Sequence, residues 1–161
     1  MRILIVDDNG HMRALLKRML VTRGARDATE AMDGHNAMEM LASQEFDLVL
    51  LDLDMKPMNG IEFTRLVRQG FANNRVPIIM ISGHTGLDDV RSARDAGVNE
   101  FLVKPVTPKN LFGRITEVFA RPRPFVSSPA YVGPERRRRQ AAGTDPKRRR
   151  DDKAKQIIEL E

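Results

Sequence analysis

The 161-residue chain has no cysteine, a formal net charge of +5, 41% hydrophobic residues and 30% charged ones. It is long enough for one substantial core with an appendage, and the missing thiols exclude disulfides and thiolate-held metals. No apolar run approaches the roughly 20 residues of a bilayer-spanning helix, and the start is too soon acidic for a signal peptide, so a soluble cytoplasmic protein without membrane insertion is expected.

In chain order, residues 2–6 form a short β-rich apolar run that stops at Asp7 and Asp8. Met12, Leu15, Leu16, Met19 and Leu20 follow at helical spacing, with Gly24 just beyond. Strand then helix recurs, with a weaker strand over 26–31 and a helix near 36–42. Residues 47–51 are apolar through their centre, as a strand buried on both faces must be. Ile61, Phe63, Leu66 and Val67 predict a third helix, 76–81 a fourth strand, 90–96 a fourth helix, 101–103 a fifth strand and 111–119 the last helix. Five such alternations imply an α/β, doubly wound, five-stranded parallel sheet whose ligands lie outside the carboxyl ends of the strands.

After Ala120 the text changes to Arg-Pro-Arg-Pro and Ser-Ser-Pro, and apolar periodicity vanishes until Ile157. Residues 121–161 therefore read as a mobile, disordered basic tail. Residues 1–120 hold 15 Lys or Arg against 16 Asp or Glu, whereas the tail holds 12 against 6. The excess positive charge sits in the tail, which points to an acidic or phosphate-bearing partner there. Gly133-Pro134-Glu135 before three arginines is echoed by Asp145-Pro146-Lys147 before three more, and 151–160 predicts a short helix, marginal on its own.

Asp7 and Asp8 follow the first predicted strand, Asp52 the third, Ser82 the fourth and Lys104 the fifth. All converge on one sheet edge. Three carboxylates so close repel one another in a poorly hydrated pocket and call for a cation. Magnesium suits them, because it prefers hard oxygen ligands and takes few carboxylates plus phosphate oxygens. With the metal bound, Asp52 can attack a phosphoryl group as a carboxylate nucleophile, while Lys104 balances charge on the transferring oxygens and Ser82 donates to the product phosphate. Taken singly, an Asp at a strand end ordinarily caps the next helix, and Lys104 and Ser82 would be ordinary loop residues. Their joint placement at four strand ends favours the chemical reading.

Asp7-Asp8, Asp52, Ser82-Gly83 and Lys104-Pro105 resemble the response-regulator receivers of two-component signalling, similar to CheY, and the match covers 1–120. Asp33-Gly34 and Pro57-Met58-Asn59-Gly60 support it. The resemblance implies a flavodoxin-like strand order 2-1-3-4-5, the Asp54 backbone carbonyl as a further metal ligand, and a cis peptide at Lys104-Pro105. It places Phe101 at the family's switch-aromatic position, without the hydroxyl of Tyr. It implies that phosphorylated Asp52 draws Ser82 inward and lets Phe101 swing in. It also implies a histidine kinase or phosphotransfer protein as donor, and a receiver that catalyses only its own phosphorylation and dephosphorylation rather than an autonomous enzyme.

Arginine outnumbers lysine nine to three from residue 121 onward, and only the guanidinium fork binds phosphate or guanine bidentately and stacks on rings. Tyr131, the one tyrosine, precedes Arg136, Arg137, Arg138 and Arg139, and Asp151-Asp152 follows Arg148, Arg149 and Arg150. Tyr131 can supply a stacking surface, and the aspartates can accept from guanine. The arrangement resembles the CheY-like cyclic di-GMP effectors of the Cle group. That resemblance implies Tyr131 and Arg136 to Arg139 as first contacts, with Arg148, Arg149 and Asp152 as secondary ones. It implies the flagellar motor switch as partner, recruitment to the motor at a cell pole, and effects on motility and surface attachment. The alternative is a basic arm for nucleic acid or anionic membrane. No base-reading motif is present in the sequence, so nucleic acid is the less favoured partner.

Overall fold

The computed structural model describes residues 1–70 and 73–137. Five strands alternate with five helices: β1 (Arg2–Val6), α1 (Gly10–Thr22), β2 (Asp27–Ala31), α2 (Gly34–Ser43), β3 (Leu48–Asp52), α3 (Gly60–Arg68), β4 (Ile78–Ser82), α4 (Leu87–Ala96), β5 (Glu100–Val103) and α5 (Pro108–Ala120). All four ladders are parallel, in the order β2-β1-β3-β4-β5. This is the doubly wound parallel sheet expected from the alternation, in the flavodoxin-like order that the family resemblance implies.

Successive residues of a strand face opposite sides, so the sheet feeds two cores. Leu4, Val6, Val49, Leu51, Ile78 and Met80 pack with Leu41 of α2, Phe63 and Val67 of α3 and Ala93 of α4. Ile3, Ile5, Leu48, Leu50, Ile79 and Ile81 pack with Leu16 and Leu20 of α1 and Leu111 and Ile115 of α5. The central strands β3 and β4 are buried at every position, which is why their sequences show no alternation.

Helix starts are set by side chains that satisfy free backbone N–H groups. Asn9 accepts from the N–H groups of His11 and Met12. Asp33 accepts from Asn36 N–H at 2.8 Å. Asn59 with Glu62, and Thr107 with Asn110, form reciprocal caps. Asn9, not Asp8, caps α1, so Asp8 is left exposed at the sheet edge.

Residues 121–137 depart from the mobile tail that composition predicts. Two further strands, β6 (Phe125–Ser128) and β7 (Tyr131–Pro134), form an antiparallel hairpin around Pro129-Ala130. Ser128 closes the turn, its hydroxyl accepting from Tyr131 N–H at 3.1 Å. A lone two-stranded hairpin is marginal in water; this one is docked on the folded unit. Arg68 of α3, 2% exposed, donates to the carbonyls of Gly97, Asn74 and Val76 and to the Asn99 side chain. Phe125 stacks on it, ring centroid 5.6 Å from the guanidinium carbon. Burial pushes the Arg68 guanidinium down to about 10, which leaves it charged at neutral pH. Gly97 at φ 110° ends α4 in the left-handed conformation; a Cβ there would lie 3.0 Å from the Val132 carbonyl oxygen. One on Gly133 would lie 2.8 Å from Gly97 Cα. Two glycines thus let the hairpin backbone approach α4. Arg138, Arg139, Arg148, Arg149 and Asp152, the second repeat and the 151–160 helix lie outside the described residues.

Candidate functional site

Because every strand of the sheet is parallel, the carboxyl ends of β1, β3, β4 and β5 share one edge, and the residues singled out in the sequence meet there. Asp7 and Asp8 follow β1, Asp52 ends β3, Ser82 ends β4 and Lys104 follows β5. Asp7, Asp52 and Ser82 are buried, Asp8 is exposed and Lys104 is half-buried. One carboxylate oxygen from each of Asp7, Asp8 and Asp52 lies within 4.8 Å of the others. Lys104 Nζ donates to Asp52 Oδ1 at 3.0 Å. Lys104 is preceded by Val103, paired with Ser82 across the β4–β5 ladder, so the pairing register delivers the cation. The peptide at Lys104-Pro105 is cis, as is that at Lys56-Pro57.

Burial dominates the electrostatics. It pushes the Asp7 carboxyl up to about 6, with the charge of Asp52 adding to the shift and the Asn9 N–H, donating at 2.8 Å, opposing it. It raises Asp52 as well, while the Lys104 hydrogen bond pulls the other way. Burial alone would lower Lys104, but the hydrogen bond and charge of Asp52 outweigh it and carry the ammonium above its usual range. Among the described residues, two buried acids and one exposed acid beside the Lys104 ammonium leave negative charge uncompensated. A hard divalent cation with three oxygen ligands at this spacing fits that excess.

The acceptor is positioned by close packing. A Cβ on Gly60 would fall 2.6 Å from the Asp52 carbonyl oxygen, so α3 begins against β3 only because residue 60 is glycine. Ser82 Oγ accepts from His84 N–H at 3.0 Å. Asp54 is exposed, and its side chain turns to His84, 3.4 Å from Nε2, so it stands apart from the carboxylate cluster; the family resemblance assigns it only a backbone carbonyl. Phe101 is half-buried against the core, paired with Met80 in the ladder.

Two of the tail residues are built into the hairpin. Tyr131 donates its hydroxyl to the Pro134 carbonyl at 2.7 Å, and the Arg136 guanidinium lies 4.7 Å from the Tyr131 ring centroid. Arg136 also pairs with Asp95 of α4 at 3.2 Å. Arg137 is exposed. Sequence reasoning missed Arg68 and Arg123, which help to seat the hairpin, and Arg75, whose guanidinium carbon lies 5.0 Å from the Phe125 ring centroid. Arg123 donates to the carbonyls of Glu135, Val98 and Asn99. The available signal was two β-rich pairs, Phe125-Val126 and Tyr131-Val132, flanking a Pro-containing turn.

Residues 3–116 match the response regulator receiver domain. The chain is 38% identical over 121 residues to the chemotaxis protein CheY of Pseudomonas aeruginosa, covering 75% of this chain and 98% of that one. It is 36% identical over 121 residues to the chemotaxis protein CheY-3 of Vibrio cholerae, covering 75% and 93%. Among solved structures, the chemotaxis response regulator CheY4 of Vibrio cholerae superposes with a TM-score of 0.68 at 28% identity, covering 73% and 98%. The sheet order, the acidic edge and these similarities agree, and the chain belongs to the response regulator receiver family, of the CheY type.

Proposed function

We propose that this receiver accepts a phosphoryl group on Asp52 from a histidine kinase or phosphotransfer protein, and that its basic tail binds cyclic di-GMP. The observation that carries the first half is the cluster of Asp7, Asp8 and Asp52 within 4.8 Å, with Lys104 at 3.0 Å. Mg²⁺, when bound by Asp7, Asp8, Asp52 and the Asp54 carbonyl, supplies charge neutralisation to the phosphoryl oxygens. A carboxylate oxygen of Asp52 attacks phosphorus; the new O–P bond forms as the donor's bond to phosphorus breaks and the donor leaves with the electron pair. Lys104 orients the carboxylate and then pairs with a phosphoryl oxygen, and Ser82 donates its hydroxyl to another. The chain performs this chemistry on itself and is not an enzyme acting on a separate substrate.

Ser82 drawn toward the phosphoryl group and Phe101 turned inward constitute a population shift that remodels the surface of α4, β5 and α5. That output, together with cyclic di-GMP on Tyr131 and the arginines that follow it, would act on the flagellar motor switch, with the protein cytoplasmic and recruited to the motor. The Arg136 stack on Tyr131 supports the ligand half, since a ring already paired with a guanidinium offers a platform for a base. Beryllofluoride with Mg²⁺, followed by NMR, tests the first half: shifts confined to residues near Asp52, with α4 and β5 unmoved, would reject the switch. Calorimetry with cyclic di-GMP tests the second, GMP and GTP being the negative controls. A basic arm for nucleic acid or anionic lipid would instead show steep salt dependence and no preference among polyanions.

A further inference from the structure

We infer that the tail ligand binds in a composite groove shared by tail and receiver, and that its affinity therefore depends on the phosphorylation state of Asp52. The inference rests on the cyclic dinucleotide reading above. A groove of about 270 Å³ is lined by Val90, Arg94, Val98 and Phe101 of the receiver and by Arg123 and Arg136 of the tail. Arg94 Nε and Arg136 Nη1 lie 3.6 and 3.2 Å from the same oxygen, Asp95 Oδ1. One carboxylate serves two guanidiniums, so an arriving phosphate can take either one without stripping Asp95 of its partner. Arg123 is held at the groove by the Glu135 carbonyl at 3.1 Å and by the Val98 and Asn99 carbonyls. The hairpin's docking thus sets its place.

The lining combines three guanidiniums with aliphatic and aromatic surface, and its one carboxylate, Glu100, is paired with Arg114 at 3.2 Å. A ligand that presents phosphates and flat rings together satisfies both: forked donors for the phosphates, and the apolar wall of Val90 and Val98 for a ring. A nucleic-acid backbone or lipid headgroup would use the arginines but leave the apolar part uncovered.

Phe101 links this groove to the acidic edge. It pairs with Met80 on β4, two positions before Ser82, which pairs with Val103. When Phe101 turns inward its ring leaves the groove lining, which deepens the space for a base. Phosphorylation then tightens the ligand, and by linkage the ligand favours the phosphorylated state by the same factor.

The test is calorimetry on the full chain with cyclic di-GMP, with and without beryllofluoride and Mg²⁺. Binding is expected to tighten at least threefold with beryllofluoride, and to weaken tenfold or more in Arg94→Ala and in Val90→Glu. Arg94 is exposed on α4, and Arg94→Ala keeps the backbone carbonyl that lies 3.5 Å from the Tyr131 hydroxyl oxygen. Arg18→Ala, an exposed charge on α1, controls for loss of net charge and is expected to bind as the parent does. Unchanged affinity in both groove variants, or no response to beryllofluoride, overturns the composite groove while leaving the tail as a binder. Absence of any binding by the parent chain removes both readings.

Discussion

Lys104 Nζ donates to Asp52 Oδ1 at 3.0 Å, and Asp52 is only 4% exposed. The described acidic cluster of Asp7, Asp8 and Asp52 leans on this one ammonium. Lys104→Met is therefore expected to cut labelling of Asp52 by acetyl phosphate at least tenfold, read by intact-mass spectrometry. Asp52→Asn should abolish the adduct altogether. The same Asp52→Asn change should raise the melting temperature of the metal-free protein, because it removes one buried carboxylate from a mutually repelling set; an unchanged or lower value would contradict that balance.

Burial holds the Asp7 carboxyl at about 6 against 3.8 for the free side chain. A group whose folded value is raised contributes stability that is full below the unfolded value and lost as pH climbs through the folded one. Without divalent metal, stability should fall between about pH 4 and pH 6 on account of Asp7, by on the order of 3 kcal/mol for a shift of this size. Mg²⁺ competes with that proton, so its stabilising effect should be larger at pH 7.5 than at pH 5. Thermal melts across this range with EDTA or Mg²⁺ measure both, and Asp7→Asn should flatten both trends.

Gly97 ends α4 at φ 110°, and a Cβ there would lie 2.9 Å from Arg68 Cγ and 3.0 Å from the Val132 carbonyl oxygen. Gly97→Ala combines backbone strain with collision and should cost roughly 2–3 kcal/mol. The loss should concentrate on the hairpin. Faster amide exchange at Val132 and Gly133, with β3 unaffected, is the expected pattern; uniform loss across the sheet would show that the hairpin does not depend on this contact.

Arg68 satisfies the carbonyls of Gly97, Asn74 and Val76 from a position 2% exposed. Arg68→Met keeps much of the volume but leaves those acceptors unpaired, at roughly 1–3 kcal/mol for each that water does not reach. A chain cut after Ala120 should likewise be less stable than the full chain, because it uncovers the Phe125 face of Arg68. Chemical denaturation measures both; equal midpoints for the full and truncated chains would mean that the hairpin adds nothing to the receiver.

The alternation of strand and helix was legible because β1, β3 and β4 are short, apolar and bounded, because the weaker β2 falls where the alternation calls for a strand, and because the helices place apolar residues at 3.6-residue spacing. Leu48 to Leu51 and Ile78 to Ile81 carry no polar break, which in itself signals burial on both faces. The acidic site was legible for a related reason: in a parallel sheet every strand's carboxyl end lies on the same side, so Asp7, Asp52 and Lys104 could be brought together without knowing any side-chain position. The hairpin was not legible. Its strands are four residues each, too short to show a period, and they sit in a segment dominated by proline and arginine.

What the amino-acid order determined alone is the sheet and the charged edge, since hydrophobic periodicity and parallel connection leave few other arrangements. Only the tertiary structure decided that Asn9 rather than Asp8 caps α1, that Asp54 turns to His84, and that Arg68, Gly97 and Gly133 seat the start of the basic tail against α4. Those outcomes depend on contacts between residues tens of positions apart, such as Arg68 with Gly97 and Arg136 with Asp95, and local pattern carries no information about which distant carbonyl or carboxylate a guanidinium will meet.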